Sequence, residues 1–292
     1  MPRIVTIVLV LILFACKPVG TENVHLQEFE FIPFSLLAEL PYAVRETSGL
    51  SKDKLVMWTH NDSGHSPVLY QLSETGQLEN QVWIRKGSNT DWEEITSDGE
   101  FMYIGDFGNN LGTRRNLRIF KLPLNNLASK EAIITDTIQF RYPEQDEFPG
   151  SYNHNFDCEA FISYGDSLYL FTKNWQDHGC SLYALPKISG TYDSRLVSQF
   201  NTKGVITSAA INSNKNQLAL VGYNYSGVMD PFIWLFSDFE GSDFFGGQAK
   251  RYNLQMQRQT EGVEFLNDST LVISSERGTN GAASLFEIPI AQ

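Results

Sequence analysis

Residues 90–110 read TDWEEITSDGEFMYIGDFGNN. An acidic entry with Asp91, Glu93 and Glu94 leads to an apolar position. A Ser-Asp-Gly turn then reverses the chain into a second run of apolar and aromatic residues. Two short apolar runs around a tight polar turn are the pattern of a β-hairpin. The same grammar recurs in RETSGLSKDKLVMWTHND from Arg45, FDCEAFISYGDSLYLFTKN from Phe156, ITSAAINSNKNQLALVGYN from Ile206 and TEGVEFLNDSTLVISSERG from Thr260. A third run follows each hairpin, at Val68, Leu117, Ser181, Phe232 and Ser284. Fourth runs begin at Gln81, Ile138, Arg195 and Lys250, and the last unit ends without one.

Units of about 50 residues with four short strands each, and no long helical period between them, predict an all-β fold of the β-propeller type. Five blades account for the repeats; a sixth would have to lie between Ile133 and Asn155. The strand missing from the last unit has a donor in VHLQEFEFIPF from Val24, so the N-terminal strand is expected to close the ring. One propeller domain then spans residues 24–292. With 292 residues, 42% hydrophobic and 13% aromatic, the chain can bury a substantial core. Trp83, Trp92 and Trp234 read as core residues. A formal charge of -12 leaves no basic stripe for nucleic acid.

The first residues, MPRIVTIVLVLILFACKP, carry an unbroken apolar run from Ile4 to Ala15. That is the length of a signal-peptide core and too short for a spanning helix. Leu13, Phe14, Ala15 and Cys16 resemble a bacterial lipobox. Residues 1–15 are therefore expected to be a leader, Cys16 the lipidated first residue and 16–23 a tether. The protein is expected to be a monomer anchored in the bacterial cell envelope, at the outer membrane. Cys158 and Cys180 remain, and the sequence leaves open whether they pair.

In a propeller the innermost strands line a central channel, so one position per repeat points to the axis. Aligning the units on their apolar position brings Ser48, Glu93, Glu159, Ser208 and Glu261 into register. Alternation along the strand turns Glu94 away. Three carboxylates converging in a channel repel one another unless a cation neutralises them, and carboxylates with hydroxyls suit Ca²⁺. Asp91 and Asp157, two residues before their Glu, read as turn residues or as supports for the ligands rather than as ligands themselves. The order Ser, Glu, Glu, Ser, Glu, with the phrase EGVEF in the last unit, resembles the calcium-activated nucleotidases (apyrases), five-bladed propellers with a central calcium. The phrases HNDSG, DWEEI, IGDFGNN and DCEAF are similar to those of a broad set of functionally uncharacterised bacterial propellers. The first resemblance implies an axial Ca²⁺. The basic, aromatic nucleotide-binding segments of apyrases have no counterpart here.

The second strand of each unit returns to the face where the first began. Its ends carry Asn61 with Asp62, Asp106, Lys173, Tyr223 and Glu276, a polar ring around one mouth of the channel. Asp62, Asp106 and Lys173 are the candidates for acid, base and electrostatic roles. Asn61, Tyr223 and Glu276 are candidate ligand contacts. No GxSxG, P-loop, HExxH or dinucleotide motif is present. Two functions fit: a calcium-containing propeller that binds a small molecule, glycan or protein at its mouth, and a calcium-dependent hydrolase of a phosphate ester, phosphoanhydride or lactone. Whether the chain is an enzyme stays open at this point.

Overall fold

The computed structural model describes residues 30–225 and 229–290. The leader, Cys16 and the tether therefore lie outside the described residues. The first blade comprises Thr47–Asp53, Val56–Asn61, Val68–Ser73 and Leu78–Arg85. The second holds Trp92–Ser97, Phe101–Asp106, Leu117–Pro123 and Asp136–Arg141, and the third Cys158–Tyr164, Ser167–Thr172, Cys180–Pro186 and Arg195–Phe200. The fourth holds Val205–Ile211, Gln217–Tyr225, Met229–Ser237 and Gln248–Asn253. Thr260–Asn267, Thr270–Ser275 and Ser284–Pro289 make the fifth, completed by Ser35–Glu39. The innermost strands touch in the cyclic order one to five and back to one, so the five sheets form a closed ring.

Each blade-to-blade interface encloses its own apolar cluster. Trp58, Val82 and Ile84 of blade 1 meet Trp92, Met102 and Ile104 of blade 2, and Phe107, Ile119 and Phe140 of blade 2 meet Phe161 and Leu170 of blade 3. Three more clusters complete the circuit. A strand with a neighbour blade on both faces buries both sets of alternating side chains, which is why the inner runs read as continuous apolar stretches. Outer strands alternate instead. Val82 and Ile84 are buried while Trp83, expected in the core, is 42% exposed, and Arg85 lies over its ring. Trp92 and Trp234 are fully enclosed. Cys158 and Cys180 are buried free thiols.

The ring is closed by the N-terminal segment, one step later than VHLQEFEFIPF suggests. Ser35–Glu39 pairs antiparallel with Ser284–Pro289. Glu30–Phe31, from within the expected stretch, pairs in parallel with Tyr252 and Asn253 of blade 4. Pro33 cannot donate to a ladder, and the chain crosses from blade 4 to blade 5 at that residue. Two more short strands, Glu131–Ile133 and Gly190–Asp193, add in parallel to the outer edges of blades 1 and 2. The segment from Ile133 to Asn155 contains the fourth strand of blade 2, not a sixth blade.

All five innermost strands break register at the same place. The ladders skip between Ser48 and Ser51, Trp92 and Glu94, Cys158 and Ala160, Ile206 and Ser208, and Thr260 and Gly262. Such bulges re-aim side chains. The extra residues are Glu93, Glu159, Thr207 and Glu261 in blades 2 to 5.

Candidate functional site

The bulges correct two alignments. Blade 4 places Thr207, not Ser208, level with Glu93, Glu159 and Glu261, and Ser208 stands level with Glu94. Residue type could not reveal this, because Thr207 and Ser208 are adjacent hydroxyl residues between the apolar Ile206 and Ala209. Glu94 does not turn away either. It is fully buried, and its carboxylate accepts N–H bonds from Leu50 at 3.0 Å, Ile95 at 3.0 Å and Ala209 at 3.3 Å. Ser208 Oγ donates to the same carboxylate and accepts from Val263 N at 2.9 Å. One side chain thus joins blades 1, 2 and 4 directly and blade 5 through Ser208. Gly49, with φ +65°, makes this approach feasible, since a Cβ there would lie 2.6 Å from Glu94 Oε1. Burial pushes the Glu94 carboxyl well above its usual range, and its hydrogen-bond donors pull the other way.

The two serines of the expected ring hold backbone and core rather than the mouth. Ser48 Oγ donates to the Glu93 carbonyl at 2.8 Å, while Ser208 serves Glu94. Thr207 Oγ1 donates to the Thr260 carbonyl at 2.6 Å, the same blade-to-blade link as that of Ser48. The three glutamates do converge. Glu93, Glu159 and Glu261 line one cavity of about 450 Å³ with Asp62, Lys173 and Tyr223. Asn110, Tyr152, Trp175, Met229 and Gln259 complete it.

The second-strand ring also shifts by one position in blade 2. Asp62, Lys173 and Glu276 each follow the last residue of their strand, and their amides bond to Glu46, Asp157 and Gln259 carbonyls. Asp106 is the last ladder residue, paired with Trp92, so the blade 2 counterpart of Asp62 is Phe107, buried in the core. Asp106 is held by Arg114 at 3.0 Å and Arg118 at 2.7 Å and accepts the Asp91 amide. It does not line the cavity. Asn61 likewise bonds Glu46 N and the Ala43 carbonyl. Glu276 lines an adjoining cavity of about 460 Å³ that shares Met229 and Gln259 with the first.

Lys173 is the cation of the site. Its Nζ stands 3.2 Å from Glu159 Oε1, 4.8 Å from the Trp175 ring centre and 5.5 Å from that of Tyr223. Burial alone would lower its pKa; Glu159, Tyr223, Glu261 and Asp157 outweigh it and hold the ammonium charged well above the usual lysine range. Against it stand the carboxyls of Asp62, Asp91, Glu93, Asp157, Glu159, Glu261 and Glu276. Burial, then Glu159, Asp62, Asp91 and Asp157, pushes Glu93 well above the ordinary carboxyl range. Burial raises Asp91 to about 7, with Asp62 adding to it, and Glu261 to about 7 despite Lys173. Glu276 reaches about 9 through burial and the charges of Glu261, Asp62 and Glu46. Glu261 Oε1 is buried without a hydrogen-bond partner among the described residues.

Asp91 and Asp157 begin the same D-x-E pattern and differ in use. Asp157 accepts from Asn109 N at 2.6 Å and Trp175 Nε1 at 2.7 Å, so both oxygens are satisfied by N–H donors. Among the described residues, Asp91 has only Arg114 within ion-pair reach, at 3.9 Å. Oxygens of Asp62, Asp91 and Glu93 lie within 4.8 Å of one another. The repeat pattern gives no hint of Tyr152, on the loop from blade 2 to blade 3, or of Trp175, on the loop between the second and third strands of blade 3. Only the position of Trp175, two residues beyond Lys173, signals its place at the same mouth.

No protein-family model matches the chain, and no curated protein does. Among solved structures the fold is similar to the PQQ-bound form of aldose sugar dehydrogenase from Streptomyces coelicolor, at 11% identity over 88% of this chain and 98% of that one, TM-score 0.54. It is also similar to a glucose dehydrogenase, at 8% identity over 89% and 100%, TM-score 0.50. An α-L-arabinofuranosidase from Podospora anserina aligns at 10% identity over 91% and 99%, TM-score 0.45. This chain is a β-propeller of five blades. Identities this low bear on the fold alone, and the site must be argued from its own residues.

Proposed function

We propose that the chain is a lipid-anchored envelope propeller that binds a polyhydroxylated ligand, such as a glycan, at a mouth containing Ca²⁺. The composition of the 450 Å³ cavity carries this conclusion: carboxylates able to accept ligand hydroxyls stand beside the rings of Tyr152, Trp175 and Tyr223, whose faces suit apolar C–H surfaces. An anionic ligand would meet the field of Asp62, Glu93, Glu159 and Glu261, with Lys173 already paired. The donor set is all oxygen, which fits Ca²⁺ rather than a softer metal. Of the expected ring, Glu93 and Glu261 face this mouth with acceptors to spare, whereas Ser48 and Ser208 are committed elsewhere and Glu159 holds Lys173.

A hydrolytic role has one observation in its favour. Burial and neighbouring carboxylates push Glu93 well above the ordinary carboxyl range, while Glu159 stands 3.2 Å from the Lys173 ammonium, so two carboxyls in different surroundings share one pocket. Asp62 and Lys173 remain in place for such chemistry; Asp106, clamped by two arginines, does not. A glycan and glycoside panel on purified protein, in Ca²⁺ and in EDTA, tests both. Calcium-dependent binding without turnover is expected. Turnover abolished in Glu93→Gln would establish hydrolysis, and absence of binding and turnover in Ca²⁺ would overturn the proposal.

A further inference from the structure

We propose that the mouth holds its divalent cation off the propeller axis, between Asp62, Asp91 and Glu93, in a cradle left open by Gly108. This deepens the calcium-containing mouth proposed above and rests on it. The three carboxylates come from two segments, Asp62 from the end of blade 1 and Asp91 and Glu93 from either side of Trp92 at the start of blade 2, and their oxygens already lie within 4.8 Å. Oxygens on opposite sides of one Ca²⁺ stand about 4.6–5.2 Å apart, against about 4.2 Å for Mg²⁺. Separations of up to 4.8 Å are compatible with Ca²⁺ at its ordinary bond lengths.

Two independent observations separate this group from an ordinary acidic cluster. Glu93 is 4% exposed, and no hydrogen bond or ion pair reaches its carboxylate among the described residues. A buried carboxylate without donors calls for a cation. Secondly, a Cβ on Gly108 would fall 2.0 Å from Glu93 Oε1 and 2.5 Å from Asp91 Oδ2. Gly108 is not in the left-handed region, so the space, not the conformation, is what glycine supplies.

The surrounding hydrogen bonds fix the cradle. Asn89 Nδ2 donates to the Asn61 and Asp62 carbonyls at 3.0 and 2.9 Å, and Asn89 Oδ1 accepts from Trp92 N at 3.0 Å. Asp106 holds the Asp91 amide at 3.0 Å, and Gly108 N returns to the Asp91 carbonyl at 3.2 Å. The nearby cations are engaged: Arg114 with Asp106 and the Gly108 carbonyl, Lys173 with Glu159. On the Glu159 side Lys173 supplies the positive charge that an axial metal would otherwise bring. Three carboxylates leave at least three positions of a Ca²⁺ for water or ligand, and Asp62 and Glu93 face the cavity.

Calorimetric titration of the stripped full-length protein with Ca²⁺ alone tests the placement. Asp91→Asn and Gly108→Ala should each weaken binding by about tenfold or more, since one removes a ligand and the other crowds two. Glu261→Gln should weaken binding clearly less than Asp91→Asn, since Glu261 lines the same cavity and would act on the ion only through its charge. Gly108→Ala displaces only flexible carboxylate ends, so an unchanged melting temperature in EDTA certifies its fold. Wild-type affinity in both Asp91→Asn and Gly108→Ala, a loss in Glu261→Gln as large as in Asp91→Asn, or no Ca²⁺ binding by wild type overturns the site. Ca²⁺ binding that follows this pattern while every glycan fails leaves the site standing and refutes the ligand instead.

Discussion

Glu93 and Glu94 are neighbours with different environments, and the bulge between Trp92 and Glu94 is the cause. Glu93 faces the mouth without a donor; Glu94 gathers three amides and a hydroxyl on the axis. Glu94→Gln puts an amide NH₂ against N–H donors in a sealed site, and should lower unfolding free energy by about 3 kcal/mol. Glu93→Gln in EDTA should stay within about 1 kcal/mol of wild type, because no donor loses its partner. Urea unfolding of the two variants checks the pair: equal losses would mean that the axial clamp is misassigned. The acidic composition of the mouth was legible in the sequence, in Glu93, Glu159, Glu261, Asp62 and Lys173. The use of each group was not, because strand alternation assumes an unbroken ladder. One extra residue in the inner strand of blade 2 brought Glu94 inward; Thr207 and Ser208 differ too little in type to be told apart, and Asp106 ends its ladder one residue before the mouth.

At the scale of strands, the inner three of each blade announced themselves because burial on both faces leaves continuous apolar runs, such as FMYIGD and SLYLFT. The added edge strands are two to four residues long and carry no such signal. The closing strand SLLAE has no β-branched residue, whereas the preceding stretch is rich in aromatics, and the expectation settled on the wrong side of Pro33. Its contacts predict an asymmetry. Deleting Ser35–Glu39 exposes the edge of Ser284–Pro289 and should lower the melting temperature and promote association. Deleting residues 24–34 removes a two-residue parallel pairing and the packing of Ile32 and Phe34, and should cost less. Thermal melts with light scattering compare them; a larger loss from residues 24–34 would contradict the assigned closure.

Across the whole molecule, the crowded carboxyls should govern the pH response. Asp91 and Glu261, raised to about 7, and Glu276, raised to about 9, retain protons in the folded chain that the unfolded chain has released. The folded state then binds more protons, so stability is fullest below the unfolded carboxyl range and falls as pH rises through these values. His60, lowered to about 4 by burial, acts in the opposite sense only below about 6.5. In EDTA the urea midpoint should therefore fall between pH 6.5 and 9, and Ca²⁺ should flatten the slope by replacing the protons. A midpoint that climbs with pH in EDTA would show that the mouth carboxyls are already neutralised within the fold. At the other end of the chain, Cys16→Ser should release the protein from the membrane fraction, since the lipobox supplies the proposed anchor; retention of an unacylated chain would refute that anchor.

The function of the mouth rests on a cation proposed to lie beside the axis, held by Asp62, Asp91 and Glu93. X-ray diffraction from crystals grown with Ca²⁺, recorded where its anomalous signal is measurable, addresses it directly. One anomalous peak is expected within coordination distance of all three carboxylates and adjoining Gly108. A peak on the axis among Glu93, Glu159 and Glu261, with Lys173 displaced, or no peak at the mouth at saturating Ca²⁺, would contradict it.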